Sequence, residues 1–156
     1  MRKITPLVVS GSSAIGKNAF ASRLVKEHPD MFKLAPPVNQ TQQMEQEYFQ
    51  AEKENKIPIF QVNEVELAGS IKQKVGTANG LHIIPPNIET FRERLEKAEE
   101  STVEKINRTC EQIKTELNKA FESDLYSTED FIVANKDFEK SYQQFKKRVF
   151  VMYKQN

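Results

Sequence analysis

Cysteine occurs once in the sequence, as Cys110, so no internal disulfide framework is available and a reducing compartment suits the chain. An excess of charge of one sign is missing too: 23 Lys and Arg oppose 22 Asp and Glu, and the pI is near 7.8. That balance gives neither a nucleic-acid backbone nor an anionic membrane a reason to bind. No apolar run is long enough to span a bilayer. The short run in "MRKITPLVVSGSS" is broken by Ser and Gly and is too short for a secretory core. Internal repeats and low-complexity tracts are absent, and the mean hydropathy of −0.64 reflects long charged helix faces. The expectation is one domain over residues 1–156, intracellular and cytoplasmic, with a single core.

What is present begins with "VVSGSSAIGKNAF", residues 8–20. Leu7 to Ser10 reads as a short buried strand, because its apolar run is continuous rather than alternating. The turn after it carries Gly11, Ser12, Ser13, Ala14, Ile15, Gly16, Lys17 and Asn18, one residue short of the phosphate-loop pattern G-x-x-x-x-G-K-[ST]. In such a loop successive backbone N–H groups point inward and the positive end of the next helix adds to them. Lys17 would reach the outer phosphates. Asn18 stands where a hydroxyl would meet Mg²⁺, so metal binding is weakened while an anion could still be held. A glycine-rich turn with no ligand is the plain alternative for the same residues.

Phe20 and Leu24 share a helical face that Pro29 ends, and "KLAPPVNQTQQ" is a turn-rich connector. "MEQEYFQAEKENK" predicts a solvated helix, with a strand around 58–62 and a helix over "VELAGSIKQKV". A turn over 76–80 leads to the strand "LHII", stopped by Pro85 and Pro86. Ile88, Phe91 and Leu95, and then Val103, Ile106, Cys110, Ile113, Leu117 and Phe121, recur at helical spacing. "DFIVAN" predicts a strand, and Phe138, Tyr142, Phe145, Val149 and Met152 a last amphipathic helix. Strands alternating with helices favour a parallel sheet covered on both faces.

Three blocks in order resemble the guanylate kinase family: "LVVSGSSAIGKNAFASRLVKEHPDMF", "LHIIPPNIETFRERLEKAEESTVEKINR" and "DFIVANKDFEKSYQQFKK". The resemblance implies a three-layer α/β fold of the P-loop NTPase type and, ancestrally, phosphoryl transfer from ATP to GMP. It also implies ATP and Mg²⁺ as cofactors, Lys17 and Arg108 as catalytic groups if the protein is active, and Asn135 on the adenine side. Residues 33–80 depart from the family. The segment S-x-x-T-T-R-x-x-R-x-G-E that supplies the acceptor arginines is replaced by "KLAPPVNQTQQMEQEYFQ", and Ala68 falls at the family's tyrosine. Only "GTANG" precedes Leu81, so the family's V-L-D-I-D strand is expected to be deleted. Residues 96–104 read as a remnant lid, with Ala98 in place of its first arginine, and Lys136 replaces the aspartate after Asn135.

Single cations in such sites contribute roughly 10³ to 10⁵ in rate, and several are missing together. The expectation is a degenerate module, a nucleotide-binding or structural component of a larger assembly with a protein partner. The alternative is an active nucleoside monophosphate kinase using Lys17, Arg94, Arg108 and Asn135. Cys110 reads as a buried inert thiol, and neither His28 nor His82 has a partner at metal-ligand spacing. "KKRVFVMYK" is one helix with a core face and a charged face, so no nucleic-acid site is expected there.

Overall fold

The chain is described by a computed structural model over residues 4–12, 15–36, 41–97 and 102–153. In chain order the elements are β1 (Leu7–Ser10), α1 (Lys17–Glu27), β2 (Phe32–Leu34), α2 (Thr41–Lys53), β3 (Ile57–Val62) and α3 (Val65–Val75). Then come β4 (Asn79–Ile84), α4 (Ile88–Glu96), α5 (Val103–Glu122), β5 (Phe131–Val133) and α6 (Phe138–Met152). The five strands form one parallel sheet in the order β2-β3-β1-β4-β5. β1 lies at its centre and every residue of it is buried, as a strand covered on both faces must be.

The pleat divides the core into two layers. Leu7, Val9, Ile59, Leu81 and Ile83 face Phe20 and Leu24 of α1, Phe91 of α4, and Tyr142, Phe145 and Val149 of α6. Val8, Phe60 and Val62 face Met44 and Tyr48 of α2 and Ala68 and Ile71 of α3. α5 serves both: Ile106, Cys110 and Ile113 enter the first layer, Ala120 the second. This is the three-layer α/β arrangement expected of the sequence. α1 leaves β1 toward one face and α3 leaves β3 toward the other. Neighbouring strands whose connections part in this way open a crevice at their carboxyl ends.

Several local expectations change. α2 is amphipathic rather than solvated, because Met44, Tyr48 and Ala51 recur at helical spacing and are all buried. β2 is an additional strand beyond those expected: it is three residues long and only Phe32 of it is buried. The turn before β4 is shorter, since Asn79 and Gly80 already pair with β1. The apolar stripe of α5 is buried only in its middle, with Val103 72% and Phe121 59% exposed. A helix of 20 residues is about 30 Å long and overruns the strands beneath it. Of the expected lid, residues 98–101 lie outside the described residues, and Val103 and Glu104 open α5.

The largest correction concerns the strand expected to be deleted. A strand does lie beside β1 on the side away from β4. It is β3, and it runs Ile59-Phe60-Gln61-Val62 into Asn63 at the carboxyl edge. Those five residues follow the V-L-D-I-D pattern with Gln61 and Asn63 at the two aspartate positions. A strand is thus present, with amide side chains where that pattern has acids. The assignment of Ala68 to the tyrosine therefore lapses, because Ala68 sits on α3, after this strand.

Candidate phosphate-binding site

The loop between β1 and α1 is shaped by its two glycines. Gly11 has a φ of +152°, and a Cβ there would stand 2.9 Å from the Ile83 carbonyl oxygen and 3.2 Å from Ile15 Cγ2. Its N–H donates to the Val62 carbonyl at 3.2 Å, tying the loop to the end of β3. Gly16, with φ 86° and ψ 26°, is the N-cap of α1 and offers no side chain to it. The helix thus begins with its N–H groups and positive dipole end facing the loop. Ile15 is an anchor rather than a ligand: its side chain is buried in the core and its N–H turns back to the Ser12 carbonyl at 3.0 Å. Ser13 and Ala14 lie outside the described residues.

Lys17 is buried, at 7% exposure, and burial pushes its pKa down. Its Nζ donates to Asn63 Oδ1 at 2.5 Å. Asn18 Oδ1 accepts from Gln61 Nε2 at 3.0 Å and from Ser22 Oγ at 3.3 Å. Lys17 and Asn18 therefore each meet an amide at the carboxyl end of β3, Asn63 just after the strand and Gln61 within it. The residues that phosphate loops use for Mg²⁺ are the Ser or Thr after the lysine and an Asp at the end of a neighbouring strand. Here those places hold Asn18 and Asn63, whose amide oxygens are already engaged by N–H donors. Magnesium wants carboxylates in near-ideal octahedral geometry. No cluster of His, Cys, Asp or Glu able to hold a metal occurs among the described residues. The donor set does not fit the ion.

Behind the loop lies a polar group with no local signal in the sequence. Ser10 and His82 are register partners on β1 and β4, which places their side chains on one face. Ser10 Oγ lies 2.7 Å from His82 Nδ1 and 2.7 Å from the Tyr126 hydroxyl. Burial drives the His82 pKa down to about 4 and that of Tyr126 up to about 12, the latter partly offset by the bond to Ser10. Both are neutral near pH 7, so the trio is a structural network. Ser10 is fully buried and so is not placed to attack a substrate.

α5 lies beside the crevice at the carboxyl ends of β1, β3 and β4. Gln112, Ile113 and Glu116 approach Ser12, Asn63 and His82 and leave a cavity of about 10 Å³, room for roughly one water. Glu116 is 7% exposed, and its Oε2 accepts the Val65 N–H at 2.8 Å. It thereby caps α3, whose own N-cap residue Glu64 makes no capping bond.

The remaining predicted site residues are exposed. Arg94 on α4 and Arg108 on α5 have exposed side chains. Asn135 follows β5 at the same carboxyl edge, exposed, with its N–H donating to Ser141 Oγ at 2.7 Å. Cys110 is buried as expected. No helix among the described residues is long and apolar enough to cross a membrane.

No family model matches the chain. Over 68 residues it is 34% identical to the guanylate kinases of two strains of Francisella tularensis subsp. tularensis, FSC 198 and SCHU S4. The match takes in 44% of this chain and 33% of those relatives, so it spans about a third of their length. Among solved structures, the SH3-kinase fragment of tight junction protein 3 superimposes with a TM-score of 0.60 at 20% identity, over 95% of this chain and 57% of that one. The guanylate kinase of Anaplasma phagocytophilum gives 0.55 at 11% identity, over 100% and 89%. At these identities the structural likeness is one of fold.

Proposed function

We propose, from the premise of a guanylate-kinase-like fold, that the chain is a non-catalytic nucleotide-binding or structural module acting in the cytoplasm within a larger protein assembly. One observation carries the proposal. The phosphate loop keeps Gly11, Gly16 and Lys17, while its metal side is Asn18, Gln61 and Asn63, amides throughout. Phosphoryl transfer depends on positioned cations that neutralise charge developing on the transferred group. A loop without metal ligands keeps the means to hold an anion and loses the means to move a phosphoryl group.

The second reading, an ATP-dependent GMP kinase, is favoured by the buried Lys17, the group such an enzyme would place on the outer phosphates. The two readings part in a coupled assay of ATP consumption with and without GMP. The proposal expects no GMP-dependent turnover. Turnover at roughly 1–100 per second, abolished by Lys17→Ala, would establish the kinase instead.

A further inference from the structure

The loop's electrostatics go further than the loss of catalysis. Lys17 is a buried ammonium whose one hydrogen-bond partner among the described residues is the neutral amide of Asn63. Burial alone displaces its pKa, with no carboxylate charge entering. In a metal-dependent phosphate loop, an acid at the end of the neighbouring strand both offsets such a lysine and receives the ion. Here neither β3 nor the residue after it supplies one, because Gln61 and Asn63 carry no charge. A buried charge without a counter-charge is costly and gains from any anion that reaches it. A divalent cation brought to Asn18 and Asn63 would instead face Lys17 across a few ångströms of partly buried space, where like charges repel more strongly than in water.

We infer that this site takes a polyphosphate chain as the metal-free anion, and that magnesium competes with the protein for that ligand rather than joining the complex. The inference rests on the proposal that the loop binds a nucleotide. The anion replaces the Asn63 amide at Lys17, and the first turn of α1 supplies the remaining donors. Asn18 stays with Gln61.

The test is a calorimetric titration of the full chain with ATP, once in EDTA and once with magnesium in excess, and with inorganic tripolyphosphate in both buffers. ATP binding in EDTA should be tighter by about tenfold, the loss expected when one charge-assisted bond is weakened. Tripolyphosphate should show the same preference, whether or not the nucleoside adds affinity. Asn63→Asp restores an acid beside Lys17 and should reduce or reverse the preference. Gln61→Glu is the parallel variant if that substitution does not fold, and circular dichroism checks both. Binding that is equal or tighter with magnesium overturns the inference and leaves nucleotide binding standing. Binding of neither ligand in either buffer overturns both.

Discussion

Acid should destabilise this protein through His82. The ring is 2% exposed in β4, with Nδ1 against Ser10 Oγ and the rings of Tyr126 and Phe131 edge-on at 5.9 Å. Its pKa falls from 6.5 to about 4 because burial penalises the charged form. The unfolded chain takes up a proton below the ordinary histidine value, while the folded chain does so only near 4. Stability is therefore complete above pH 6.5 and declines as pH drops through that window. At about 1.4 kcal/mol per unit, near pH 5 the loss is about 2 kcal/mol, and across the whole shift it is about 3 kcal/mol. The carboxyls of Glu27 and Glu139, held down to about 2 by hydrogen bonds led by Tyr142 and Arg23 respectively, lose their pairing only below the usual carboxylate range. Urea unfolding followed by circular dichroism at pH 7 and pH 5 measures the difference. His82→Asn should be less stable at pH 7 yet lose much less between the two pH values. Equal pH dependence in both proteins would refute the assignment to His82.

Two further substitutions test how the loop and its supports are held. Gly11→Ala adds a Cβ within 2.9 Å of the Ile83 carbonyl at a φ of +152°, so thermal unfolding should show a loss of about 2–3 kcal/mol. Glu116→Ala removes the carboxylate that caps α3 from α5, leaving the Val65 N–H unpaired. A loss of about 1–3 kcal/mol is expected by denaturant titration, with Glu116→Gln closer to the parent protein.

The parts of the fold legible in the sequence are those with strong local signals. β1 and β4 announce themselves as apolar runs, α6 as a stripe at helical spacing, and the loop as glycines set between a strand and a helix. β2 gives little signal because three residues with one buried side chain leave almost no pattern. α2 was legible in principle, since Met44, Tyr48 and Ala51 share a face, but its many polar residues mask that face. Gln61 and Asn63 were visible as residues, but as site members only once β3 was known to lie against β1.

By itself, then, the sequence settled the alternation of strand and helix and the presence of the glycine–lysine turn, because both depend on neighbours a few positions apart. Tertiary structure alone decided which strand lies beside that turn and what it brings. Asn63 reaches Lys17, Gln61 reaches Asn18, and Glu116 reaches Val65 across separations of 46, 43 and 51 residues. Strand order creates those contacts, and no local pattern encodes it.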